Sequence, residues 1–275
     1  MIAYHGQQAI KNEYLARVRA HREADQLVQH YGYWKDGKGC AVGCTLHSAY
    51  HAAYETELGI PRILARLEDS IFEGLSVEKA REWPERFLSA IAPGADLSVV
   101  SSHFFVWMLG DPVDGAIRHA KTDRKRAVIQ RVVSLYQRTA NGEIVEENEW
   151  RYAADAAAYY ADAAAEAAAA YAADADAEAA DYAAYYSAAH AAFFAAAAAA
   201  ADADDYADAA AEAAADADAE ADYTAAEVAA YYADADADAY IAAADAFAAA
   251  ALIRQEKRSK QADKLIELMS AQVAV

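Results

Sequence analysis

Apolar residues recur at a spacing near 3.6 through the first half of the chain. This predicts helices at about residues 7–30, 40–56, 61–73, 77–91, 97–109 and 122–139. Turn-forming runs separate them: Tyr31–Gly39, Gly59-Ile60-Pro61, Gly74, Pro93-Gly94, Gly110-Asp111-Pro112 and Asn141-Gly142. No stretch alternates cleanly for long enough to support a strand. Residues 1–150 therefore predict a compact all-α domain of about five to seven helices.

Beyond residue 150 the pattern changes in kind. Every Gly lies at or before Gly142, every Pro at or before Pro112, and 59 of the 102 residues from 152 to 253 are Ala. Alanine has the best helix propensity, and nothing here interrupts the backbone ladder. The acidic residues Asp202, Asp205, Asp208, Glu212, Asp216, Glu220, Glu227, Asp234, Asp238 and Asp245 advance by three, four or seven, steps that return to one helix face. Many large side chains, among them Tyr160, Tyr171, Tyr182, Tyr185, Phe193, Tyr232 and Phe247, fall on the opposite side. The tract 151–253 thus predicts amphipathic helix, acidic on one face and aromatic on the other.

As one rod it would run about 150 Å at 1.5 Å per residue, and its aromatics would stay wet, although each can hide roughly 150–250 Å². A folded-back hairpin or a bundle, within one chain or in a homo-oligomer, is expected instead, with the turn near Asp202-Ala203-Asp204-Asp205. The plainer alternative is a repeat expansion tolerated as solvated helix. Residues 254–275 close the chain with an amphipathic helix, basic from Lys257 and apolar at Leu265, Ile266, Leu268 and Met269. It is expected to dock on the first domain.

Charge sharpens this division. The chain carries 24 Lys and Arg against 44 Asp and Glu, a net −20. Residues 1–151 are nearly balanced, whereas 152–253 hold 21 acids and no Lys or Arg. Such a tract is repelled by nucleic acid and by anionic membranes, so a basic protein surface is the expected partner. The uncharged run Tyr182–Ala201 has a membrane-spanning length, but alanine inserts weakly, and Asp181 and Asp202 flank it without any nearby Lys or Arg. No membrane span is expected. Only two cysteines and a start, MIAYHGQQAIKNEY, without an apolar leader core point to a reducing cytoplasm.

Two constellations bear on chemistry. Cys40, Cys44, His47 and His51 stand at i, i+4, i+7 and i+11, one stripe if the helix is unbroken. Their types suit zinc or iron, yet a stripe about 16 Å long exceeds the reach of one ion, whose ligands sit about 2.0–2.3 Å away. A neighbouring pair such as His47 and His51, completed by Glu68, Asp69 or Glu73, is the workable form. Cys40 at a helix start is a candidate reactive thiol, and ordinary core packing is the bland reading. The second constellation is a basic patch, Lys121, Arg124, Lys125, Arg131 and Arg138, in which Arg124, Arg131 and Arg138 recur every seven residues. It suits phosphate, the chain's own acidic tract, or plain solvation.

The words Tyr14-Leu15-Ala16-Arg17-Val18, Gly37-Lys38-Gly39-Cys40-Ala41-Val42-Gly43-Cys44-Thr45-Leu46-His47, Glu55-Thr56-Glu57-Leu58-Gly59-Ile60-Pro61, Leu64-Ala65-Arg66-Leu67-Glu68-Asp69 and Ala262-Asp263-Lys264-Leu265-Ile266-Glu267-Leu268 resemble an uncharacterised group of bacterial and phage-type proteins. The resemblance covers the first half and the final helix, with an Ala-rich insert of variable length between them. It implies no activity and transfers no catalytic residue. It does imply that the tract here is an enlarged, unusually acidic insert.

Three functions follow. The first is a binding or inhibitory protein whose acidic helical surface occupies a basic partner. Nine acids over residues 202–222 give one charge per about 3.5 Å of helix, against about 1.7 Å for duplex DNA and about 3.4 Å for one strand, so nucleic-acid mimicry would be local. The second is a metal- or thiol-dependent enzyme built on the Cys/His stripe. The third is a self-assembling helical protein. No Walker loop, dinucleotide fingerprint or nucleophile elbow is present to support nucleotide or hydrolase chemistry. The charge asymmetry favours the first.

Overall fold

The computed structural model describes residues 1–48, 50–120, 122–170 and 239–274, and their regular structure is helical apart from one short hairpin. The chain divides into two compact units, Met1–Phe104 with Arg258–Val275, and Phe105–Lys257. Among the described residues no helix is long and apolar enough to cross a membrane.

The first unit holds α1 (Gln8–Glu23), the strands β1 (Trp34–Lys35) and β2 (Lys38–Gly39), α2 (Ala41–Leu46), a π-helical turn (Tyr54–Leu58), α3 (Arg62–Gly74), α4 (Val77–Ala90) and the start of α5 (Val100–Gly110). Helical spacing explains the buried faces. Leu64, Leu67, Glu68, Ile71 and Phe72 of α3 and Ala80, Trp83, Phe87 and Leu88 of α4 are all buried. Tyr4 is fully buried and donates from its hydroxyl to the Leu88 carbonyl at 2.7 Å.

Two expected helices are cut short, and a strand pair appears where none was expected. α1 stops at Glu23, Asp25 takes a left-handed φ of 53°, and Val28 N–H donates to the Gly39 carbonyl at 3.0 Å. The apolar Leu27 and Val28 that carried the expectation to residue 30 thus serve an extended segment. β1 and β2 pair antiparallel, Trp34 opposite Gly39, across Asp36-Gly37, whose φ values of 52° and 78° suit a type I′ turn. Strands of two residues are too short to display alternation. The helix expected over 40–56 ends at Leu46, because His47 turns left-handed with φ 56° and ψ 35°.

α8 (Ala239–Ser270) runs through residue 254 without a break. Its end belongs to the first unit, where Ala262, Leu265 and Met269 are buried. Arg258 donates to Ser70 Oγ at 3.1 Å and lies across Gly74, where any Cβ would collide with its side chain. Arg86 meets Asp263 at 2.8 Å, and Lys79 donates to Ser259 at 2.7 Å. The closing helix is thus docked on the first unit by its apolar set and by polar contacts on both flanks.

The second unit contains the rest of α5, α6 (Asp123–Ala140), α7 (Glu147–Ala170) and the first part of α8. Thr122 caps α6, accepting from Lys125 N–H. Tyr136 stacks on Phe105 with centroids 5.0 Å apart and meets Trp150 at 4.8 Å. The expected hairpin or bundle and its turn at 202–205 lie outside the described residues.

Candidate functional site

Local backbone demands account for most of the Gly-Cys motif. A Cβ at either Gly39 or Gly43 would overlap the Tyr33 carbonyl, so both glycines seat that carbonyl against β2 and α2. Cys40 caps α2, its sulfur accepting from Gly43 N–H at 3.4 Å, and its thiol faces the Tyr33 carbonyl at 3.8 Å. The Cys44 thiol donates to the Gln26 and Gly39 carbonyls, each at 3.5 Å. Both cysteines are buried and free. Burial, and the Asp69 charge beside it, push the Cys40 thiol well up. Burial pushes Cys44 up to about 12. At neutral pH both stay thiols, whereas nucleophilic chemistry needs the thiolate.

The stripe itself does not form, because the helix breaks at His47. His47 leaves Cys44 behind and stacks on Trp34 at 4.5 Å, its Nε2 2.7 Å from Nε2 of His21. His51 turns inward, 4 % exposed, against the Tyr33 ring at 4.7 Å, with Nε2 3.8 Å from Asp69 Oδ2. The two histidines expected to act as a pair therefore sit in different surroundings. Of the carboxylates considered with them, Asp69 meets His51 and Glu73 pairs with His30 at 3.0 Å. Among the described residues no three His, Cys, Asp or Glu side chains are grouped to hold one ion.

Glu68 has a separate setting. It is fully buried and accepts from the Tyr54 hydroxyl at 2.6 Å, and its backbone carbonyl accepts from Trp83 Nε1–H at 2.8 Å. Burial, with Asp69 adding to it, holds its carboxyl well above the usual carboxylate range, while the Tyr54 hydroxyl bond works in the other direction. Tyr54 and Trp83 are partners that sequence reasoning missed. The available signal was a carboxylate at the core-facing step between Leu64 and Phe72, where burial requires a neutral form or a donor.

A cleft of about 300 Å³ lies beside α4, lined by Leu27, Val28, Phe72, Val77 and Ala80 with His30 and Arg81. Its ionisable residues are paired, His30 with Glu73 and Arg81 with Asp25.

The basic patch and the start of the Ala-rich tract meet in the second unit. Arg138 grips Glu149 through both terminal nitrogens, at 2.6 and 3.1 Å, and also bonds Glu143. Arg131 lies 4.2 Å over the Tyr152 ring. Arg124 is exposed, Lys125 is half-buried, and Lys121 lies outside the described residues. Against α6, α7 turns the buried Ala153, Ala154 and Ala157, while Tyr152, Asp155 and Tyr159 face outward, the tyrosines 59 % and 69 % exposed. In this first stretch Asp155 shares the outer face with Tyr152 and Tyr159, while Trp150 packs inward with the alanines. The expected split of acid from aromatic does not hold there. The acidic positions from Asp202 to Asp238 lie outside the described residues, and Asp245 falls within α8.

No family model, curated protein or solved structure matches this chain.

Proposed function

We propose that this is a binding protein that presents the acidic, tyrosine-bearing outer face of its Ala-rich tract to a basic protein surface. The observation that carries the reading is the orientation of α7. Ala153, Ala154 and Ala157 are buried beside Trp150, and Tyr152, Asp155 and Tyr159 are exposed on the outer side. Tyrosine is enriched at interfaces because it brings a large rigid surface with a polar tip. The charge of the tract supports the same reading, since 21 acids without one Lys or Arg select cationic surfaces and speed encounter with them. The inward thiols and the buried Glu68 serve the core, and neither supports an exposed reaction centre.

Calorimetric titration of the full chain with a Lys/Arg-rich helical peptide tests this reading. Saturable binding that weakens as salt rises is expected, with a measurably weaker constant for the Tyr152→Ala/Tyr159→Ala chain. Absence of binding, or an affinity that ignores both salt and the tyrosines, would reject it.

A further inference from the structure

Arg131 stands on the side of α6 that does not pack inward. Ile129, Val132, Val133, Leu135 and Tyr136 are the buried residues of that helix, whereas Arg131 is exposed. Its guanidinium carbon lies 4.2 Å from the centroid of the Tyr152 ring, well inside the roughly 6 Å over which a cation and a ring face attract. The two helices run in opposite directions here, because Arg138, further along α6, meets Glu149, earlier on α7, with bonds of 2.6 and 3.1 Å. Tyr152 stands one turn beyond Glu149 on the same side of α7. Adjacent turns of α7 are thus each held by an arginine of α6, one through a carboxylate and one through a ring.

Arg131 acts on Glu149 as well. The Arg138 bonds hold the Glu149 carboxyl below the usual carboxylate range, and the Arg131 charge adds to the effect. A surface that receives cations gains nothing from a bare arginine at its edge, since like charges repel. An arginine spread against a ring face has another use. An exposed tyrosine on a helix samples several rotamers, and a ring already held in one of them gives up less freedom when a partner arrives. Arg126 offers the contrast, exposed too but paired with Asp123 on its own helix at 2.9 Å.

Resting on the reading of this face as the partner-binding surface, we propose that Arg131 is a positioning residue that fixes the Tyr152 ring in the orientation the partner meets. The partner touches the ring, and Arg131 acts through it. The sign is distinctive. By electrostatics alone, removing a positive charge strengthens the binding of a basic partner, whereas loss of the support under the ring weakens it. Glutamine keeps a long polar side chain without the charge. Lysine keeps a cation over the ring but gives up the flat guanidinium, so it retains part of the effect.

The test places meta-fluorotyrosine at position 152 alone in the full chain and reads its fluorine resonance, without partner, beside Arg131→Gln, Arg131→Lys and Arg126→Gln. The same three substitutions in the unlabelled chain are titrated calorimetrically with the Lys/Arg-rich helical peptide. The fluorine signal is expected to move in Arg131→Gln, to return part of the way in Arg131→Lys and to stay in place in Arg126→Gln. Affinity is expected to fall roughly two- to fivefold in Arg131→Gln, the worth of one exposed contact between a cation and a ring, and not to fall in Arg126→Gln. Adding Arg131→Gln to Tyr152→Ala should then cost nothing further. A fluorine signal indifferent to Arg131→Gln, or an affinity that holds or rises in Arg131→Gln as in Arg126→Gln, would overturn the proposal. If no form of the chain binds the peptide, the partner reading falls, and the fluorine comparison alone decides whether Arg131 positions the ring.

Discussion

α3 and α7 are both amphipathic, and they bury different proportions of large and small side chains. α3 turns inward leucines, an isoleucine, a phenylalanine and two carboxylates. Over its described first turns α7 turns one tryptophan, Trp150, and three alanines inward and sends two tyrosines and an aspartate outward. Size alone would place tyrosine inside and alanine anywhere. The difference shows that what a helix buries depends on its neighbour. Alanine faces let helices approach closely, whereas α3 packs where volume must be filled. Tyr152, displaced from the interior, still finds the Arg131 guanidinium above its ring.

Substitution should separate the two helices. Phe72→Ala on α3 should cost roughly 3–5 kcal/mol, and Leu265→Ala on docked α8 roughly 2–5 kcal/mol, read by denaturant unfolding. On α7 the sensitive direction reverses. Ala157, fully buried, should tolerate no growth, and Ala157→Leu should cost about 1–3 kcal/mol through overpacking. Equal tolerance of Ala157→Leu and an exposed-site control would break the comparison.

The Glu68 carboxyl gives a pH signature to α3. Its folded pKa is raised above the unfolded value near 4.3, so its protonated form stabilises the fold fully below that value. The contribution is lost as pH rises toward the folded pKa. Glu68→Gln keeps a neutral group at every pH. The difference in unfolding free energy between the two chains should therefore move in favour of Glu68→Gln as pH is raised. A pH-independent difference would mean that Glu68 is ionised in the fold. The smallest expected effect is that of Tyr159→Ala, within about 0.5 kcal/mol for an outward position, although the same change should weaken partner binding.

How much of this was legible from the sequence depends on where local and tertiary signals agreed. The helices α3, α4 and α6 were readable because their apolar spacing matches the faces they bury. The apolar period of α1 runs on through Leu27 and Val28, which instead serve a β-bridge region. The hairpin has strands of two residues, too short to show alternation, and Asp36-Gly37 is its one local signal. At the candidate site, the cysteines and histidines were found as residues but not as an arrangement. Their stripe presumes an unbroken helix, whereas α2 ends in the left-handed turn at His47, which stacks on Trp34 while His51 lies against Tyr33. The inward alanines of α7 could not be read from periodicity, since alanine marks no face.

The most direct test of the central claim places a photo-crosslinking amino acid at position 159, on the outer face of α7, and at position 77, exposed on α4, in full-length chains exposed to an extract of the cells that naturally make the protein. The account predicts that position 159 captures a basic protein, with capture lost at high salt, and that position 77 does not. Capture of the same proteins from both positions, or a partner at 159 without basic character and indifferent to salt, would contradict it.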